Sequence, residues 1–138
     1  MSQQHAEGTF VVVSFAPVDV TPSVEVATAM ASGLATMEKR YTGEIEGVSS
    51  TLFTYTRSAT SESGTYVAVE AFAGLVNGAS GGFNFLHAAS THGEDRYGEF
   101  FTIVDDSGTD GLAGITGAGG MAVDADGTHR IWFDYLLP

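Results

Sequence analysis

Short runs of apolar, β-branched and aromatic residues alternate along the chain with polar segments that contain glycine. Eight of these runs have the length and composition of strands. The predicted strands cover residues 9–15, 35–42, 50–57, 65–75, 82–89, 96–104, 121–124 and 129–137. No segment sustains the period of about 3.6 residues that marks an amphipathic helix. The pattern therefore predicts an all-β fold with little helix.

Glycine is frequent along the chain, whereas proline is rare and absent from most of it. There are 18 glycine residues but only three proline residues, at positions 17, 22 and 138, so residues 23–137 contain none. Proline is excluded from central strands, and glycine supplies the positive φ angles of hairpin turns. Asn77-Gly78 and Asp126-Gly127 each lie between two predicted strands and are typical of two-residue hairpin turns. These residues favour antiparallel strands joined by hairpins.

The segment 17–34 and the amino terminus are the least regular parts of the pattern. Thr21-Pro22 is compatible with the N-cap and first position of a short helix through Val26–Ala31. An irregular crossover fits the same residues equally well. Residues 1–7 precede the first predicted strand, and we expect them to be mobile. A chain of 138 residues is about one domain in length, so we expect a single barrel domain over residues 1–138.

The Asn77-Gly78 turn predicts the register of the two strands that it joins. If these two residues form the centre of the turn, Glu70 lies opposite Phe85 and Ala68 lies opposite His87. Side chains alternate between the two faces of a strand, so one face collects most of the aromatic residues. That face holds Tyr66, Ala68, Glu70, Phe72, Phe83, Phe85 and His87. We expect it to fill the interior of a small barrel.

One carboxylate and one imidazole lie on this aromatic face. In the predicted register, Glu70 and His87 are diagonal neighbours about 7–8 Å apart between Cα atoms, so their side chains are within reach of each other. Burial raises the pKa of a glutamate and lowers that of a histidine, whereas mutual contact favours the ion pair. Such a pair is suited to proton transfer near neutral pH. A structural polar pair that includes Lys39 or Tyr55 is the alternative.

Several predicted strands are apolar on both faces, which a sheet with one solvated face does not show. The outer face of the barrel must then be covered as well. We expect a partner subunit to cover it, which makes the protein a homo-oligomer, a dimer or larger. A monomer whose crossover segment covers one flank is the alternative.

The charge of the chain narrows the range of partners. Five basic and 17 acidic residues give a net charge of −12. Nucleic acids and anionic membranes are bound through lysine and arginine, so neither is an expected partner. No apolar run approaches the roughly 20 residues of a membrane span. The first residues lack the charged-then-apolar order of a secretory signal, and we therefore expect a cytoplasmic protein.

Other motifs do not indicate a metal or a cofactor. The absence of cysteine excludes thiolate zinc sites, cysteine nucleophiles and disulfides. The glycine-rich segment Gly111–Gly120 does not open a helix, so it is better explained by backbone packing at one end of a barrel than by nucleotide binding. Acidic turns begin at Asp105 and Asp124, but neither has the twelfth-position glutamate of a calcium loop. The four histidines lack helical metal-ligand spacing, and we expect neither a metal nor a cofactor.

Six short segments, in their order along the chain, form a pattern that is typical of a known protein family. They are Gly8-Thr9-Phe10, Tyr41–Gly47, Glu70–Gly74, Gly82–His87, Ser107–Gly117, and His129 with Asp134-Tyr135. Together they resemble a family of small bacterial proteins of unassigned function that is grouped with the allene oxide cyclase and dirigent barrels. The resemblance covers residues 8–137 and implies an eight-stranded antiparallel β-barrel with a hydrophobic lumen, often oligomeric.

Two positions depart from the pattern of that family. Its members commonly have arginine at Ala71 and tryptophan at Phe101. Loss of the arginine favours an apolar, covered outer face, and the smaller ring at 101 favours a larger lumen. Related barrels include cofactor-free cyclases and proteins that hold a flexible substrate in a reactive shape, which lowers a barrier without a nucleophile.

The expected ligand is an apolar small molecule, and the expected function is that of a cofactor-independent isomerase or cyclase. Glu70 and His87 are the predicted catalytic residues. The predicted substrate-binding wall consists of Tyr55, Tyr66, Phe72, Phe83, Phe85, Phe101, Phe133 and Tyr135. A non-catalytic carrier or sensor of an apolar metabolite is one alternative, and a packed barrel that serves as an interaction subunit is another. The sequence does not identify the ligand.

Overall fold

Eight antiparallel strands close into one barrel in a computed structural model that describes residues 2–138. The strands are β1 (Gln4–Val18), β2 (Ala31–Gly43), β3 (Ile45–Arg57), β4 (Ser63–Val76), β5 (Ala79–His92), β6 (Asp95–Ile103), β7 (Thr116–Val123) and β8 (His129–Leu136). Each strand pairs with the next along the chain, and β8 pairs with β1. The predicted all-β, eight-stranded antiparallel barrel is confirmed.

The first strand is longer than predicted at both ends. It begins at Gln4, and residues 4–7, which we expected to be mobile, pair with β8. The burial of Ala6 accounts for this pairing, because its side chain is fully buried in the core opposite Phe133. The strand also continues past Pro17, which pairs with Ala35 near the end of the ladder, where a missing N–H is tolerated.

The crossover between β1 and β2 is irregular. Residues 19–30 contain no helix, so of the two alternatives for this segment the irregular one is observed. Residues 19–29 are all exposed, and a short helix there has no buried face to stabilise it. The helical part of the described chain is a single 3₁₀ turn, η1 (Asp110–Leu112). No helix among residues 2–138 has the length and apolar character needed to cross a membrane.

The turn between β4 and β5 has the predicted geometry. Asn77 and Gly78 both have positive φ angles, 49° and 82°, as a type I′ turn requires. Glu70 pairs with Phe85 and Ala68 with His87, so the predicted register is confirmed. The aromatic face therefore points into the barrel, and the alternate residues of β4 and β5 point outward.

The half of the barrel next to this turn, the closed end, is filled. Its core consists of side chains from most strands: Ala6, Phe10, Tyr41, Ile45, Phe72, Val76, Phe83, Phe85, Ile103, Leu112, Ile115, Ile131, Phe133 and Tyr135. Leu112 and Ile115 come from the glycine-rich loop, which lies across this end. Backbone contact there is tight, since a Cβ at Gly81 would lie 2.2 Å from the Thr109 carbonyl oxygen. Within the predicted segment 111–120, Gly111 packs closely as expected, since a Cβ there would lie 2.7 Å from the Ser80 carbonyl oxygen. From Thr116 onward the segment is part of strand β7, which begins five residues earlier than predicted.

The ladder between β6 and β7 is the weakest seam of the barrel. One residue pair, Ile103 with Gly117, joins the two strands, whereas seven to fourteen pairs join each of the other neighbouring strands. The Phe101 ring packs against the backbone of β7 here, and a Cβ at Gly119 would lie 2.9 Å from it. A cavity of about 140 Å³ lies at the seam, lined in part by Arg96, Phe101 and Trp132.

Candidate functional site

Glu70 is the centre of a buried polar cluster in the middle of the barrel. Its side chain is fully buried, and its two carboxylate oxygens accept four hydrogen bonds. Lys39 Nζ donates at 2.6 Å and His87 Nε2 at 2.5 Å to Oε2, while Ser49 Oγ donates at 2.7 Å to Oε1. The Tyr41 hydroxyl also donates to Oε1. The protein itself therefore saturates this carboxylate.

The protonation states of Glu70 and His87 follow from the burial of the two side chains and from their hydrogen-bond and charge partners. Burial alone raises the pKa of Glu70, but the hydrogen bond from His87 and the charge of Lys39 outweigh it and lower that pKa to about 2. Burial lowers the pKa of His87 by more than Glu70 raises it. At neutral pH the cluster therefore holds a Glu70 carboxylate, paired with Lys39, and a neutral His87 imidazole whose Nε2–H points at Glu70.

A chain of hydrogen bonds leads from this cluster to the opposite end of the barrel. With the His87 proton on Nε2, Nδ1 accepts a hydrogen bond from the Tyr66 hydroxyl, 2.9 Å away. The Tyr66 oxygen in turn accepts a hydrogen bond from Arg96 Nη2 at 2.6 Å, and Arg96 Nε pairs with Glu99. Burial raises the pKa of Tyr66, although Arg96 lowers it in part, so the phenol is protonated at neutral pH.

Tyr66 also lines the large cavity at this second end, the open end of the barrel. The cavity has a volume of about 1010 Å³ and lies between the β3–β4 and β5–β6 connections. Phe15, Phe53, Tyr55 and Tyr66 form its aromatic wall, and the rings of Phe53 and Tyr66 stack with centroids 5.1 Å apart. Polar side chains of the two connections form the rim. The cavity therefore meets the polar cluster at the Tyr66 hydroxyl.

The structure divides the predicted site residues into two groups. Glu70 and His87 meet as predicted, but neither lines the cavity, and Tyr66 links them to it. Of the predicted wall, Tyr55 and Tyr66 line the cavity. The others lie elsewhere: Phe72, Phe83, Phe85, Phe133 and Tyr135 are in the closed-end core, and Phe101 is at the β6–β7 seam, stacked on Phe85 and His87. Core packing therefore occupies much of the space that we assigned to a lumen.

Sequence reasoning missed several residues of the site. Tyr41 and Ser49 bind Glu70, Arg96 binds Tyr66, and Phe15 and Phe53 line the cavity. A signal exists for Tyr41, because it lies two residues from Lys39 and so shares one face of β2 with it. The connection between β2 and β3 has no two-residue turn signature, so the register that brings Tyr41 to Glu70 was not predictable. Of the two residues named in the structural alternative, Lys39 bonds Glu70, whereas Tyr55 lines the cavity.

Two further observations concern what the site can hold. The Thr51 hydroxyl lies beside Glu70 on β3, is fully buried, and has no hydrogen-bond partner among the described residues. Within residues 2–138, no group of three or more histidine, cysteine or acidic side chains is arranged to hold a metal ion.

Comparisons with known proteins identify a family but not a function. The crystal structure of a protein of unknown function from the DUF3224 family of Shewanella oneidensis MR-1 has a TM-score of 0.83, 23% identity and coverage of 99% of both chains. At that identity, the likeness establishes the fold alone. Among curated proteins, none matches the chain. The model of the family "Protein of unknown function (DUF3224)" matches residues 6–135. This chain is therefore a member of the DUF3224 family.

Proposed function

We propose that the barrel binds an apolar small molecule in its open-end cavity and isomerises or cyclises it by proton transfer, without a cofactor. The observation that carries the proposal is the hydrogen-bonded chain from Tyr66, on the cavity wall, through His87 to Glu70. A cavity of about 1010 Å³ is large enough for a small organic ligand.

The proposed proton transfer uses the arrangement of an acid–base triad. The Tyr66 oxygen takes a proton from the bound substrate while its own proton passes to Nδ1 of His87. The imidazolium that forms lies 2.5 Å from the Glu70 carboxylate, which stabilises its charge. Return of a proton to a different atom of the same substrate completes an isomerisation, so no atom or electron is gained or lost.

The two cations have supporting roles in this scheme. Arg96 donates to the Tyr66 oxygen and so stabilises negative charge that develops on it. Lys39 keeps Glu70 ionised. Because Glu70 is fully buried, it acts through His87 and is a positioning residue. From the sequence resemblance we also propose that the barrel is related to the allene oxide cyclase and dirigent barrels, which shape apolar substrates.

A carrier or sensor of an apolar metabolite is the second candidate. It is favoured by the saturation of Glu70, since a carboxylate that the protein itself fully bonds is also a structural device for closing a barrel. Binding in the same cavity without turnover distinguishes this candidate from the isomerase.

Ligand binding is tested with two neighbouring residues that face opposite sides of β3. Phe53 lines the cavity, whereas Leu52 points outward and is 56% exposed. We expect Phe53→Ser to weaken binding of the neutral fluorescent probe N-phenyl-1-naphthylamine by about tenfold, because it removes most of an aromatic contact. Leu52→Ser should leave the affinity within about twofold of the parent. Equal effects of the two variants would place the probe outside the cavity and contradict the proposal.

Proton transfer is tested by removing one hydroxyl group. We expect Tyr66→Phe to lower the rate of isomerisation of the apolar β,γ-unsaturated ketone 5-androstene-3,17-dione by at least about 100-fold, while binding of the fluorescent probe is retained. The absorbance of the conjugated product gives the rate. Tyr135→Phe is the matched control, because its hydroxyl bonds Asn77 and Gln4 at the closed end. A parent protein that binds the ketone without converting it would favour the carrier, and equal rates for Tyr66→Phe and the parent would exclude the proposed role of Tyr66.

A further inference from the structure

The outer surface of β3–β6 mixes exposed apolar side chains with uncharged polar ones and carries no charge at its centre. Its outward residues include Val48 and Leu52 of β3, Val67 and Val69 of β4, and Phe100 of β6, and all five are exposed in the single chain. Cross-strand pairing makes the surface continuous, since Leu52 lies beside Val69 and Val69 beside Leu86. We call the outward residues of β3 from Val48 to Thr54, of β4 and β5, and of β6 from Phe100 to Thr102 the neutral face.

The absence of charge from the neutral face contrasts with the overall charge of the chain and with the flanking strand β2. The chain has 17 acidic and five basic residues, and none lies at an outward position of the neutral face as these described strands define it. Charged side chains occur on the flanking strand β2, where Glu38 and Arg40 point outward beside Ser50 and Val48. Exposed apolar side chains grouped on an uncharged surface, with charged residues at its border, are typical of a protein-binding site.

We infer that the neutral face is a two-fold interface between two copies of this chain. Each copy has a net charge of −12, so two copies repel each other wherever their acidic surfaces approach. The neutral face is where a second copy can make contact without placing carboxylates opposite carboxylates. A basic partner would instead be attracted to the acidic surfaces. In a two-fold arrangement the same patch meets itself, and a patch without charged residues meets its own copy without repulsion.

The size of the neutral face agrees with this assignment. Four strands about 4.8 Å apart, and about ten residues of roughly 3.3 Å each along them, cover on the order of 600 Å². Two copies would then bury about 1,200 Å², which exceeds the roughly 1,000 Å² expected of a specific interface. The interface lies on the opposite side of the sheet from the cavity, so this inference does not depend on the proposed function.

The mass of the parent protein and of two valine variants tests the interface. Light scattering after size exclusion is expected to give twice the chain mass of 14.4 kDa for the parent. Val69→Lys places a charge on the neutral face and should raise the dimer dissociation constant by at least about tenfold. Val123→Lys makes the same change at a residue that is 61% exposed at the end of β7, and should leave the dimer intact.

Salt and a second substitution complete the test. Sodium chloride screens the repulsion between two acidic copies, so the parent dimer should tighten as the salt concentration rises. Leu52→Lys repeats the test on β3 in case Val69→Lys does not fold, with circular dichroism as the check. A parent that is monomeric or larger than a dimer overturns the inference, as does a dimer that both folded variants of the neutral face leave intact or that Val123→Lys disrupts equally.

Discussion

Replacing Glu70 with glutamine is expected to lower the free energy of unfolding by roughly 3–5 kcal/mol, the range for breaking one side of a buried ion pair. Lys39 is 3% exposed and would be left buried without a counter-charge. The new amide would also turn an NH₂ group toward side chains that now donate to the carboxylate. Urea unfolding of parent and variant near neutral pH measures the difference.

Two further variants show whether the loss of stability comes from the buried ion pair or would follow the loss of any glutamate. Glu38→Gln neutralises an exposed carboxylate whose partner, Arg40, is 3.7 Å away, and should change stability by less than about 0.5 kcal/mol. Lys39→Met combined with Glu70→Gln removes both charges and should recover much of the lost stability. A single Glu70→Gln variant as stable as the parent would contradict the assignment of a buried, paired carboxylate.

Acid is expected to destabilise the barrel through the same cluster. The Glu70 pKa drops from an ordinary value of 4.5 to about 2 on folding. The unfolded chain therefore takes up this proton first, and the stabilisation, present above about pH 4.5, is lost as the pH falls toward 2. That difference in pKa corresponds to roughly 3 kcal/mol. Folding also lowers the pKa of His87, so its contribution declines with acid in the same direction, beginning below its ordinary value of 6.5.

The acid prediction is measured by urea unfolding at a series of pH values. The comparison is with the double variant Lys39→Met and Glu70→Gln, which lacks the titrating carboxylate. Its stability should fall by roughly 3 kcal/mol less than that of the parent between about pH 5 and pH 2. If the two curves run parallel in this range, the acid sensitivity arises from other carboxylates and not from Glu70.

Local chemistry was enough to predict the architecture and one register. The Asn77-Gly78 turn imposes positive φ angles at two successive residues, and this geometry admits few registers for the strands that it joins. The pairing of β4 with β5, and the meeting of Glu70 with His87 on the inner face, followed from that turn and from the alternation of side chains.

The same local chemistry did not predict the extent of β1 or the state of the crossover. Residues 4–7 join the barrel because Ala6 is buried against β8, more than 120 positions away in the chain. The helix considered for residues 26–31 does not form, because no other element packs on that segment. In both cases the outcome depends on contacts between distant parts of the chain, which local propensity does not contain.

By itself, the sequence determined the all-β fold, the hairpins and the side of the sheet on which each residue of β4 and β5 lies, because backbone sterics and side-chain alternation act between near neighbours. The tertiary structure alone decided which inward residues line the cavity and which pack against one another. The rings of Phe72, Phe83 and Phe133, with two side chains from the glycine-rich loop, fill one end of the barrel and leave the cavity at the other. The tertiary structure also brought Lys39 to Glu70. The reason is that closure of the barrel sets the volume available inside it, and sets the registers of strands that no tight turn connects.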